Sequence, residues 1–462
     1  MWRRSTTLLV GLSAIASVAG IANFVDTAPE SQSSQLQAAT TEDPAALPGL
    51  VSQALDTDPT IADPAIPKLR ALGQPAVDYL ILHTELRNSP RWKTVLDSVA
   101  LQRDAEYSGL CWHTDLDVAK AIAKRDKKPI LSLRLLGRLT DELSCANSRF
   151  FRTALYPNAT VRDVLKNDFV LHWQTVREVP IITIDFGDGR QIKRTVTGNS
   201  LHLVLDHQGR AVDILPGLYV ADMFLQELKA SGPVAVRLGE LNDTAYQTAC
   251  VDYHQARLAA MRAQLTELCQ KANLPEPLPV GVDHSANIWT QLSLTYMTQP
   301  VLDQQAAQAV AANAPPAEVA GLRAMSKAVT ETPAMRLLRN VSRIMREDST
   351  RNQYYLHAEI HKWFAPSPEA FVQSTRAAVT ASGQFGGAAG SAGGFGGVPG
   401  GVGPRMPTPA STMDRESLVK RVYSQLFLSP VDDPWYGLSK PDVYSAVKND
   451  GRIDVVTQDT RD

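Results

Sequence analysis

The sequence predicts an α/β unit set between α-helical N- and C-terminal regions. Three observations carry this expectation. Lys128-Pro129-Ile130-Leu131-Ser132-Leu133 is a short apolar strand after a lysine-rich helix end, and Phe150 to Tyr156 is a helix stopped by Pro157-Asn158. Helical spacing of apolar residues marks the chain on both sides, most clearly Leu258, Met261, Leu265 and Leu268. With 462 residues, 44% of them hydrophobic, the chain is long enough for two to four domains with proper cores. A net charge of −2 gives no basic footprint with which to neutralise phosphates, so nucleic acid is not an expected partner.

Residues 1–25 combine a charged start, Met1-Trp2-Arg3-Arg4, with an apolar run from Thr6 to Phe24. This is the pattern of a signal peptide or an N-terminal membrane anchor. Ser17-Val18-Ala19 would serve as a cleavage site, while the apolar run through Ile21 to Val25 favours retention as a transmembrane helix. Residues 26–43, rich in Ser, Gln, Thr and Glu, form a flexible spacer. Residues 44–105 are helical. Ala65 to Leu80 resembles one HEAT-like helix pair, with Gly73 ending a helix and Pro75 opening the next. A single repeat unit cannot bury its own face, so this pair is expected to pack on the neighbouring domain.

The centre of the chain is Leu143-Ser144-Cys145-Ala146-Asn147-Ser148-Arg149-Phe150. A strand, a loop and then a cysteine at the first turn of a helix can activate a thiol, because the unpaired amides and the macrodipole favour thiolate. Ser144 is placed to cap the helix, Arg149 to add a positive charge and Ser148 to hydrogen-bond the sulfur; Asp141 and Glu142 oppose them.

Residues 106–232 resemble the thioredoxin-like superfamily, in its extracytoplasmic branch. Trp112-His113-Thr114-Asp115-Leu116-Asp117, Ala119, Ala123 and Lys128-Pro129-Ile130-Leu131 match the tryptophan, alanine-rich helix and first core strand of that branch. Cys145-Ala146-Asn147-Ser148 falls on the family's Cys-x-x-Cys position. The resemblance implies a central sheet with flanking helices. Its second strand is Asp168 to Trp173, its hairpin runs from Gly198 through the Asp206 to Gly209 turn to Leu215, and Met223-Phe224-Leu225 with Leu228 closes the domain. Ser148 stands at the resolving cysteine, so the motif cannot close a disulfide within itself. Ser200 stands at the cis-proline position, and Val179 to Val196 inserts an extra hairpin around Gly187-Asp188-Gly189. The site residues implied are Cys145, Ser148 and Ser200. Cys111 is a further thiol with which Cys145 could pair.

Residues 240–375 form a helical domain. Its long helix, Ala245 to Ala272, carries Cys250 and Cys269, which at 1.5 Å per residue lie about 28 Å apart and are expected as small buried hydrophobes. His357 and His361 share one helical face, a spacing that can hold a metal, but the sequence offers no evident third ligand. The expectation is therefore a packing face with Tyr354, Tyr355, Trp363 and Phe364, with no metal and no cofactor. Residues 382–412 are a glycine-rich linker expected to be disordered. Residues 413–462 form a tail whose aromatic and apolar stripe should dock on the helical domain or on a partner chain.

Two functions follow. One is an extracytoplasmic thioredoxin-like protein whose single-cysteine site performs monothiol exchange or binds thiol-containing partners. The other is a non-catalytic cell-envelope scaffold using the fold, the helical domains and the tail to recruit protein partners, held to the membrane by its N-terminal segment. The two differ at Cys145, which must be accessible in the first and is inert in the second.

Overall fold

The structure, a computed structural model, describes residues 44–196, 198–274, 279–282, 288–292, 315–316, 343–366, 409–436 and 447. The expected leader, its spacer and most of the glycine-rich linker lie outside the described residues. No helix among the described residues is long and apolar enough to cross a membrane.

The N-terminal helices build a core of their own. Helices α1 (Leu47–Ala54), α2 (Ala65–Leu72), α3 (Gln74–Leu82) and α4 (Trp92–Ala100) bring Val51, Leu69, Val77, Leu80, Val95 and Leu96 into one cluster. Gly73 makes the α2–α3 corner at φ 67°, and Pro75 sits in the first turn of α3. The α2–α3 pair was expected to need the neighbouring domain. Mostly α1 and α4 cover it, with the Trp92 indole donating to the Leu80 carbonyl in the last turn of α3 at 2.8 Å, while Asp78 of α3 also pairs with Lys166 of the neighbouring unit at 2.6 Å.

Asp115 caps α5 (Leu116–Asp126) by accepting from the amides of Asp117 and Val118. Lys127, left-handed at φ 53°, ends it and turns the chain into β1 (Ile130–Leu136), which is buried throughout. Helices α6 (Ala146–Phe150) and α7 (Ala159–Asp168) cross over to β2 (Val170–Arg177), parallel to β1 with Leu131 beside Leu171 and Leu133 beside Trp173. Strands β3 (Ile181–Asp185) and β4 (Gln191–Thr195) form a separate exposed hairpin. Then β5 (Ser200–Leu205) and β6 (Ala211–Pro216) complete a four-stranded sheet in the order β2-β1-β5-β6, antiparallel at both β5 contacts. The result is a mixed α/β unit with helical regions on either side in sequence.

Side chains alternate between the two faces of the sheet. Leu133 and its cross-strand partner His202 share one face, packed under Phe151, Tyr156 and Phe224. The opposite face carries Ser132, Arg134 and His172. Helix α8 (Ala221–Gly239) follows β6, and Asn242 caps the long α9 (Asp243–Lys271), in which Cys250 and Cys269 are both buried and free. A later helical stretch passes through a π turn at Asn352–His357 into α10 (Ala358–Phe364).

The described part of the tail, residues 413–436, touches the helical domain as expected and docks on the α/β unit besides; residues 437–446 and 448–462 lie outside the described residues. Helix α11 (Arg415–Arg421) and the π turn Val422–Leu426 pack mainly on the α/β unit. Buried Arg134 of β1 reaches Glu416 at 2.8 Å, and Arg415 donates to the Gly209 carbonyl. The physical reason lies in β1. Ser132 and Arg134 make one sheet face polar, α5 covers only part of it, and a buried guanidinium requires a carboxylate. The tail touches the helical domain as well, where Arg421 lies 4.1 Å over the Trp363 ring.

Candidate functional site

Cys145 itself is the N-cap of α6. Its Sγ accepts from the Ser148 amide at 3.4 Å, and its side chain is fully buried. The roles expected of its neighbours are therefore redistributed. Ser144 does not cap the helix; its hydroxyl accepts from Arg152 at 3.2 Å. The Ser148 hydroxyl donates to the Cys145 carbonyl at 2.9 Å instead of addressing the sulfur. Arg149 donates to the Ser144 carbonyl and to the Thr195 hydroxyl, and Glu142 turns away to Arg103 at 3.3 Å. Arg149, the cation expected at the thiol, is thereby directed elsewhere.

The fold does bring the Cys145 turn against the Ser200 loop. A Cβ on Gly198 would stand 2.7 Å from Asn147 Oδ1, so the two loops meet backbone to side chain. Ser200 is buried at the start of β5, opposite Leu135, and its hydroxyl has no hydrogen-bond partner. The tail then closes over this edge. The Tyr423 hydroxyl donates to the Asn199 carbonyl at 3.0 Å, and the Asn199 side-chain amide donates to Ser429. Arg177 at the end of β2 donates to the carbonyls of Pro430, Val431 and Asp433. An open cleft of about 520 Å³ remains beside it, bordered by Asn147, Asn199, Arg351, Asn352 and Phe427. Cys111 belongs to the core of the N-terminal helices, whereas Cys145 belongs to that of the sheet. Both are free, and burial with the nearby Asp78 carboxylate pushes the Cys111 thiol up to about 12.

A second constellation lies deeper, where β6, α8, α9 and α10 meet. His357 Nε2 is 2.8 Å from Asp213 Oδ1, the Tyr253 hydroxyl donates to Asp213 Oδ2 at 2.6 Å, and His254 Nδ1 is 2.6 Å from His361 Nδ1. Glu227 accepts from Gln353 at 2.9 Å and from Arg257, and its Oε2 lies 3.7 Å from His357 Nδ1. Asp213, Glu227 and all three imidazoles are fully buried. Burial pulls His254 down to about 4 and His361 well below the usual histidine range. Burial alone would raise Asp213, but the surrounding imidazoles outweigh it and hold the carboxyl well below its ordinary value. One ligand atom from each of Asp213, His357 and His361 lies within 4.8 Å of the other two. The pair His357/His361 is visible in the sequence. Asp213, 144 positions upstream of His357, and His254, 107 upstream of His361, carry no local signal that would join them.

No family model, no curated relative and no solved structure matches this chain.

Proposed function

We propose that this chain is an extracytoplasmic thioredoxin-like interaction protein, in which the fold binds partners and does not exchange disulfides. The observation that carries this reading is the state of Cys145, a fully buried helix cap at an edge that the chain's own tail covers. Support for the family comes from chain order. A strand–helix–strand unit with parallel β1 and β2 is followed by an antiparallel β5–β6 hairpin and a closing helix, with β1 and β5 central. The envelope placement rests on the charged start and apolar run of residues 1–25. The described tail residues pack on the chain itself, and the surface we assign to a protein partner is the β3–β4 hairpin. There Ile182, Ile184, Phe186 and Ile192 stand exposed, more apolar side chains than one isolated hairpin carries without use.

Site-resolved alkylation of the folded full chain tests this reading, with mass spectrometry separating the four cysteines and Cys145→Ser as control. Cys145 should react as slowly as buried Cys250 and Cys269, and fast only after denaturation. Rapid alkylation of native Cys145 at neutral pH would sink the proposal in favour of monothiol exchange.

A further inference from the structure

We propose that Asp213, His357 and His361 bind a divalent transition-metal ion of the zinc and iron class, which ties β6 to the π turn at Asn352–His357 and to helix α10. The site is independent of Cys145, and its chemistry follows from which atoms are already engaged.

Two of the proposed ligands have the far side held by another residue, and the third turns its far side to a carboxylate at 3.7 Å. Asp213 offers Oδ1 while Tyr253 holds Oδ2; His357 offers Nε2 while Nδ1 faces Glu227; His361 offers Nε2 while Nδ1 meets His254. Metal-bound histidines and carboxylates are characteristically fixed in this way, because the outer partner sets the tautomer and ring orientation. His361 Nε2 is buried and has no hydrogen-bond partner, and with His361 Nδ1 donating to His254 Nδ1 it carries a lone pair.

Charge gives a second argument. Asp213 and Glu227 are two fully buried carboxylates, and among the described residues one guanidinium, that of Arg257, lies against Glu227. Buried carboxylates without a cation beside them are costly. His357 stands between the two carboxylates and can give a hydrogen to only one of them if neutral. A cation at Nε2 would let its Nδ1–H point to Glu227. Two imidazoles and a carboxylate suit zinc or ferrous iron, and ligands this deeply buried make the ion a structural clasp with His254 as the nearest further donor. The π turn at Asn352–His357 adds a third argument. It ends on His357 itself, and such turns inside helices occur frequently at functional sites.

The test uses the folded full chain. Metal content is measured by elemental analysis as isolated, and again after chelation and reloading with Co2+, whose visible d–d bands report nitrogen and oxygen ligation. The expected result is about one equivalent per chain, with His361→Gln losing stoichiometric binding and Tyr253→Phe, which leaves all three ligands in place, weakening it about 10–100-fold. If His361→Gln fails to fold, Tyr253→Phe alone decides. Folded protein that takes up no Co2+ overturns the proposal. Binding unchanged in both variants overturns it equally, since the metal then sits elsewhere.

Discussion

Lowering the pH from 7.5 to 5 should strip several kcal/mol from this fold, through two histidines that lie outside the proposed metal site. His172 sits on β2 with Nδ1 2.8 Å from the Ser132 hydroxyl, and His202 on β5 with Nε2 2.8 Å from the Tyr156 hydroxyl. Both are fully buried. Burial lowers each from the ordinary 6.5 to about 3, with the Arg134 charge adding to the effect at His172. In the unfolded chain both regain the ordinary value. Between pH 6.5 and 3 the unfolded chain therefore binds one more proton at each site than the folded chain, so stability is present above pH 6.5 and is lost as pH falls. At about 1.4 kcal/mol per pH unit, each histidine costs about 2 kcal/mol at pH 5, and the pair about 4. Against a typical total of about 5–15 kcal/mol this is a large share. Urea melts at pH 7.5, 6.0 and 5.0, followed through Trp112 and Trp173 fluorescence, measure it directly. His202→Phe should remove about 2 kcal/mol of the loss, the share of one buried histidine among several with lowered values. A stability that stays flat from pH 7.5 to 5.0, or an unchanged slope in the variant, would refute the reasoning.

Two further perturbations address the tail and its neighbour. Arg177→Ala removes donors to three tail carbonyls, each charge-assisted bond contributing about 1.5–3 kcal/mol at most; limited proteolysis should then cut within residues 409–436 at least tenfold faster while the sheet domain stays intact. Gly217 has φ 78°, and a Cβ there would meet Asn352 Nδ2 at 2.8 Å. Gly217→Ala should cost about 2–4 kcal/mol from left-handed strain plus overpacking, read as a lowered melting temperature.

The parts of the fold legible in the sequence are those whose signal is local. Apolar Ile130 to Leu133 after a helix end marks β1, though the strand runs on to Leu136 because its polar residues find partners, Ser132 in His172 across the sheet and Arg134 in Glu416 of α11. Strand β2 begins two residues later than expected, since α7 keeps its helical turn through Asp168. The Gly187-Asp188-Gly189 turn marks the inserted hairpin, and its two strands lie to either side. Local reading fails where the partner is remote. Nothing near Cys145 announces that its sulfur caps a helix while Tyr423, from the far end of the chain, closes over Asn199. The spacing of His357 and His361 shows one helical face, but which carboxylate meets it depends on how β6 packs against that helix. Charge pattern was no better a guide to the tail, because Arg134 reads as an exposed residue until the strand is seen buried on both faces.

The seating of Glu416 on Arg134 also sets an order of events during synthesis. The two residues are 282 positions apart, so at about 5–20 residues per second the β1 face waits roughly 15–55 s for the segment that seals it. Through that interval a nascent chain carries an almost finished sheet with a cationic, half-covered face. The sheet face is sealed by the segment around Glu416, and any product cut short before it keeps the sheet but not its lid. Quality control has a ready mark to read in such a chain: an open sheet face with an unpaired arginine at its centre.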